Sequence, residues 1–306
     1  MNLIFSLTRP WLLIMVILLH YRVFNDDLLI NFWGGDLVDT QQFICQLCKI
    51  AVPLYFLMSG YFLYNKKKLT SSTYKQILIK RVKSLIVPYL LWNLASLILN
   101  ILGGNILFHS KDIGDILILF IKQTPSLGPI NHPLWYLRDL FIFVLISPIC
   151  YIIGKSVFKH VLFLVLILLW LIGLGDTITY DGFGGLLFFY SGILLNINDI
   201  DIYRKIKVLA NRIHLYIAAY MICSILLVLY RDDLSGIYLK LCTLVGIWLF
   251  VSLLERHKNR LIKSHSWNLS QNSFFLYCMH GIFTGSVSGI LTKIAIIVQH
   301  PLIFIL

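Results

Sequence analysis

The chain alternates long apolar runs with short polar connections, most of them basic. A helix that crosses a bilayer needs about 20 mostly apolar residues, and nine runs approach that length: 4–24, 44–64, 84–102, 134–154, 160–176, 182–197, 213–230, 236–254 and 272–290. A tenth run, 294–306, is shorter and is interrupted by Gln299-His300-Pro301. It falls short of a full crossing and reads either as a truncated helix or as a re-entrant or interfacial piece. Segment 113–121 is also too short to span and predicts an interfacial helix within the longest outer connection, 103–133. The pattern predicts an all-α, polytopic integral membrane helical bundle of about ten transmembrane helices, the last one short. With no long soluble stretch, no Pro/Ser/Gly linker and no repeat at fixed period, a single domain over 1–306 is expected. No basic region precedes the first run and no small-residue cleavage pattern follows it, so the first helix is expected to be retained.

Composition agrees. At 306 residues, 58% hydrophobic, 13% charged and with a mean hydropathy of +0.82, the chain is too apolar for a soluble globular domain. A net charge of +12 would suggest a nucleic-acid partner in a soluble protein. Here the cations fill alternate connections, so no nucleic acid is expected and the charge is a topology signal. Lys66, Lys67, Lys68, Lys75, Lys80, Arg81 and Lys83 occupy the second connection and Lys155 and Lys159 the fourth. Arg204, Lys205, Lys207 and Arg212 occupy the sixth, and Arg256, Lys258, Arg260 and Lys263 the eighth. The odd connections hold few cations and most of the aspartates, including Asp26, Asp27, Asp36, Asp112 and Asp115. The positive-inside rule then places the even connections and the N-terminus in the cytoplasm. The six cysteines lie within apolar segments, where small-residue packing is the ordinary reading. Cys45-x-x-Cys48 has no second ligand pair nearby, so no metal is expected.

A few residues break the apolar pattern. Arg9 and His20 stand on the first helix eleven residues apart. Eleven steps of about 100° return to within roughly 20° of the starting face, so both side chains share one side, about 16 Å apart along the axis. An ionisable group inside a bilayer costs on the order of 3 kcal/mol. The pair therefore either snorkels to opposite interfaces or faces a functional interior. In the second run, Ser59-Gly60 fits close helix packing or a substrate path, and Pro53 frees a backbone carbonyl. Lys80-Arg81-Val82-Lys83 leads into Val87-Pro88-Tyr89, a cationic patch suited to anionic lipid headgroups or to a phosphate-bearing cofactor. In the fourth run, Trp135-Tyr136-Leu137-Arg138-Asp139 combines an aromatic belt with a pair of charges expected to face the bundle interior together. His280 sits among apolar neighbours as either a packing residue or a catalyst. No phosphate-cradling glycine loop, Gly-x-Ser-x-Gly elbow or paired carboxylates stand out, which argues against a serine hydrolase or an ATP-driven pump.

Taken together these stretches resemble the membrane-bound acyltransferase family 3, whose members move acyl groups onto extracytoplasmic glycans. The resemblance runs in order through Arg9 to His20, 52–62, 80–92, 134–148, 185–195 and 273–280. Its most specific elements are Arg9 with His20, Ser59-Gly60-Tyr61-Phe62, Lys80-Arg81 running into Pro88-Tyr89, and Trp135-Tyr136-Leu137-Arg138-Asp139-Leu140. Ser6-Leu7-Thr8 stand where the family often carries an acidic residue. The resemblance implies an O-acyltransferase, most often an O-acetyltransferase, using cytoplasmic acetyl-CoA in a bacterial cytoplasmic membrane. It implies His20 and Arg9 as catalytic, with His20 a general base or acyl relay, and Arg81, Lys80 and Lys83 as holding the donor's phosphates. It implies Ser59, Trp135, Arg138, Asp139 and His280 on the substrate side. The expected partners are membrane lipids and a surface polysaccharide or lipid-linked glycan acceptor. The rival class is a non-enzymatic glycan exporter or flippase, since intramembrane charges also mark transporters, but no paired halves with matching broken helices are visible. A polymerase of lipid-linked sugars would favour longer outer loops.

Overall fold

In a bilayer every backbone polar group must be satisfied within its own segment, so apolar runs of this length become helices. The computed structural model describes residues 2–20, 45–65, 67–102, 113–121, 129–174, 182–200, 202–229, 235–263 and 273–283. In chain order the helices are α1 (Asn2–His20), α2 (Ala51–Leu63), α3 (Ser71–Arg81), α4 (Val87–Leu102), α5 (Ile113–Leu119), α6 (Trp135–Lys155), α7 (Lys159–Ile172), α8 (Gly182–Ile197), α9 (Ile202–Ala210), α10 (Ile213–Leu229) and α11 (Ser235–Lys263). The last among the described residues is α12 (Ser273–Phe283). Among the described residues there is no strand. Each of the nine long apolar runs holds a helix, so the protein is an all-α polytopic membrane bundle. Cys45–Leu63, Ser71–Leu102, His132–Lys155 and Gly236–Ile262 are each long and apolar enough to cross, with shorter apolar helices between them. The run 294–306 lies outside the described residues.

Two helices are longer than hydropathy predicts, because polar residues continue them. The third crossing starts at Ser71 rather than near 84: Thr70 caps it, its Oγ1 accepting from the Thr73 N–H at 3.1 Å. Between α3 and α4 the chain passes through a π-helical turn, Val82–Ile86, in which the Val87 N–H bonds to the Val82 carbonyl. Pro88 follows directly. A proline has no N–H and crowds the carbonyl four residues back, and a local π adjustment lets the helix continue past it. α11 likewise continues past residue 254, where Glu255 and Lys258 pair at 2.6 Å.

The bundle is built around α2 and α8, which pack backbone to backbone. A methyl group on Gly60 would overlap the Phe189 carbonyl, and one on Gly192 would overlap the Leu57 carbonyl. Gly185 leaves the space filled by the rings of Phe56 and Phe143. In lipid, where apolar side chains gain little by leaving the solvent, such close approach is what holds helices together. Phe56, Phe189 and Ile193 are fully buried at this contact, and Tyr190 is fully buried toward α7, its Oη donating to the Lys159 carbonyl. α6 joins the α2–α8 contact, with Tyr64 Oη and Ser147 Oγ 3.0 Å apart. α1 leans on α2 through Phe5, whose ring meets Tyr61 and Phe62 edge-on at 5.3 and 5.4 Å. Leu90, Leu91, Leu94 and Ile98 on α4 and Leu164 and Leu168 on α7 are exposed, as lipid-facing side chains are.

Forcing α2 and α8 apart is therefore expected to cost about 1–3 kcal/mol per added methyl. Gly60→Ala and Gly192→Ala should each lower the melting temperature of the detergent-solubilised protein by several degrees. Gly236→Ala, with nothing within 4 Å of the new methyl, should not.

Candidate active site

One cavity of ≈ 270 Å³ lies between α1, α2, the α3 end, the start of α6 and α12, near the lower end of the volumes usual for small-molecule sites. α1 contributes Arg9, Val16 and His20, as their common face requires. α2 contributes Val52, Tyr55, Ser59 and Phe62, a stripe at steps of three and four residues. Arg81, the last residue of α3, and Leu85 in the π turn form another wall. Trp135, Tyr136, Leu137 and Leu140 come from α6, and Ser273, Phe274 and Tyr277 from α12.

Most of the lining is aromatic or aliphatic, and several of its polar groups are hydrogen-bonded to neighbouring side chains or backbone. Ser59 Oγ and Tyr136 Oη lie 3.0 Å apart. Tyr55 Oη donates to the Arg9 carbonyl at 3.2 Å, and Tyr277 Oη donates to the Pro133 carbonyl. His20 Nδ1 lies 2.8 Å from the Val16 carbonyl. A carbonyl can only accept, so Nδ1 carries the hydrogen, and in the neutral ring the basic lone pair is on Nε2. Arg9 is exposed while lining the cavity.

The structure thus gathers Arg9, His20, Ser59, Arg81 and Trp135 around one space. Ser59 and Gly60 divide the two readings of their step: Gly60 faces α8 and Ser59 faces the cavity. Lys80 and Lys83 flank Arg81 but are exposed and off the cavity wall. His280 is also off the wall; it sits against His20, ring centroids 5.2 Å apart. Arg138 and Asp139 form the internal ion pair that their sequence predicts, at 2.8 Å, with Asp139 1% exposed. They do not line the cavity. Instead Arg138 Nη1 donates to the Ile121 carbonyl and Tyr89 Oη to that of Phe120, fixing the chain after α5 against α4 and α6. Sequence reasoning placed Tyr136 in an aromatic belt and gave no role to the phenols of Tyr55 and Tyr277 or to His132, whose ring lies 6.0 Å from that of His20. The spacing 52, 55, 59, 62 was the available signal for Tyr55. The others depend on tertiary packing.

A family model described as an acyltransferase domain matches residues 3–306. The chain belongs to acyltransferase family 3. No curated protein and no solved structure matches it. Family membership places this membrane acyltransferase with group-transfer enzymes rather than with glycan exporters. Its cavity offers what acyl transfer needs in outline: an imidazole able to take a proton, guanidinium groups able to hold an anion in forked hydrogen bonds, and a largely apolar wall that strengthens both.

The Arg138–Asp139 pair makes a checkable statement about this acyltransferase. Removing one member of a buried pair costs about 3–5 kcal/mol, whereas replacing both by apolar groups is close to neutral. Arg138→Leu should therefore lower membrane yield and melting temperature strongly, and Arg138→Leu with Asp139→Leu should recover much of the loss.

Proposed function

We propose that the protein is an O-acyltransferase, with acetyl as the group transferred, that moves it from cytoplasmic acyl-CoA to a hydroxyl of a surface polysaccharide or lipid-linked glycan in a bacterial cytoplasmic membrane, its N-terminus cytoplasmic. The observation that carries this reading is that a single cavity is lined by His20, Arg9 and Arg81 together. Esterification needs the acceptor oxygen made nucleophilic near neutral pH, and an imidazole is the side chain suited to it. The role assigned to His20 is general base through Nε2; a covalent acyl relay on the same nitrogen would use the same residue. Arg9 and Arg81 bind the anionic groups of the donor, for which guanidinium is better matched than ammonium. Lys80 and Lys83, exposed beside Arg81, raise the local concentration of that polyanion. Ser59 and Trp135 face the acceptor, the indole offering a flat apolar surface to a sugar ring. Arg138 and Asp139 act on the acceptor side indirectly, by holding the chain after α5 in place.

The test is NMR of the surface polysaccharide from cells carrying wild type, His20→Ala or no copy. O-acyl signals should be present in the first and absent in the other two, with polymer yield unchanged, since a positioned base contributes about 10²–10⁴-fold. Acyl signals that persist in His20→Ala would remove His20 from the mechanism. In membranes, Arg81→Ala should raise the KM for acetyl-CoA about tenfold to a hundredfold, matching the loss of a charge-assisted contact worth about 1.5–3 kcal/mol. An unchanged KM would reassign Arg81 to lipid contact.

A further inference from the structure

His280 is 5% exposed, and its Nε2 is buried without a hydrogen-bond partner. Its Nδ1 bonds to the Tyr277 carbonyl one turn back on α12. Since that carbonyl can only accept, Nδ1 carries the hydrogen and the lone pair is on Nε2. The structure thus holds a buried basic nitrogen with no donor, a costly arrangement in an apolar bundle. The ring next to it is His20, 5.2 Å away centroid to centroid and inclined at 71°. His20 likewise has its Nδ1 bonded to a carbonyl of its own helix, that of Val16. Each imidazole therefore has its tautomer fixed by its own backbone, and each presents Nε2 as its basic atom.

The placement of His280 is enforced by the turn before α6, which is itself held by α4. The Asn131 side chain donates to the Cys278 carbonyl at 3.1 Å, and the Asn131 N–H donates to the Asn93 side chain of α4 at 3.0 Å. At Gly281 a methyl would overlap Asn131 Oδ1 and crowd the Pro133 ring, so α12 lies directly on the turn that begins α6. His280 is held against His20, off the cavity wall.

Two neutral imidazoles in these tautomers have no proton to share. An imidazolium beside a neutral imidazole does have one, and the charged ring is then stabilised by its neighbour's lone pair and electron-rich face. We infer that His280 is the positioning partner of His20: it stabilises His20 in the protonated form that arises only during the reaction. The inference rests on the reading of His20 as general base. The acceptor O–H breaks and its proton passes to His20 Nε2. The oxygen forms a bond to the thioester carbonyl carbon, the C–S bond breaks, and the thiolate leaves. The proton held on His20 then passes to the thiolate, giving an ester and a free thiol and returning His20 to the neutral form. An interaction made only once the proton has moved lowers the barrier without tightening substrate binding.

The experiment measures initial rates in membranes bearing the full chain, with radiolabelled acetyl-CoA as donor and polysaccharide isolated from cells lacking the protein as acceptor. The variants are His280→Phe, which keeps a ring but no lone pair, and His280→Gln, whose amide oxygen stands near the place of Nε2. His280→Asn, whose amide stands near the place of Nδ1, is the polar control should the phenylalanine fold poorly. His280→Phe and His280→Asn should lower kcat about 10- to 100-fold, a part of what a general base supplies, with the KM for acetyl-CoA unchanged, and His280→Gln should return most of the loss. A wild-type kcat in His280→Phe, a glutamine variant as impaired as the asparagine one, or a raised KM at constant kcat would overturn the pairing. His20→Ala is run alongside. If it stays active, the base assignment itself has failed; if it is inactive while His280→Phe is normal, only the pairing has.

Discussion

The contact between α2 and α8 sets the geometry of everything around it. Gly60 lies against the Phe189 carbonyl and Gly192 against that of Leu57, so the two helices are locked in both separation and rotation. With Gly60 turned to α8, the neighbouring Ser59 and the residues one turn either side, Tyr55 and Phe62, are turned to the cavity. Tyr55 in turn reaches the backbone of α1 at Arg9, and Ser59 reaches Tyr136 on α6. The packing that stabilises the bundle in lipid is thus the same packing that aims one wall of the site.

The second constraint is electrostatic. Arginines and a histidine within apolar helices are costly unless the protein supplies polar company or water. Here Arg9, Arg81 and His20 border one shared cavity, which sets phenols, a serine hydroxyl and space for an anionic ligand beside them. The Arg138–Asp139 pair solves the same problem differently, by mutual neutralisation and a bond to the Ile121 carbonyl, and it serves the fold. On α6 the ion pair follows directly on Trp135 and Tyr136, which line the cavity, so one stretch of helix serves both the fixed part of the bundle and the site.

Much of this was legible in the sequence. Apolar length alone located the nine runs that hold helices, and the 3.6-residue period put Arg9 and His20 on one face. The internal Arg138–Asp139 pair followed from the cost of burying either charge alone. What was not legible depended on structure that hydropathy does not report. Polar residues carry α3 back to Ser71 and α11 on to Lys263. Whether Ser59 or Gly60 would face α8 depended on the rotation of α2, which only its partner sets. Lys80 and Lys83 look equivalent to Arg81 in sequence, yet helix geometry directs only Arg81 to the wall. The approach of His280 to His20 joins opposite ends of the chain, and no local spacing encodes it.

The central claim is that the cavity lined by Arg9, His20 and Arg81 is where the acyl donor meets its acceptor. The most direct measurement is an experimental structure of the protein in lipid nanodiscs with a non-transferable acetyl-CoA analogue. The account predicts the analogue's anionic groups against Arg9 and Arg81, with its acyl carbonyl beside His20. An analogue bound only to the exposed basic surface around Lys80 and Lys83, with a lipid chain occupying the cavity, would contradict it.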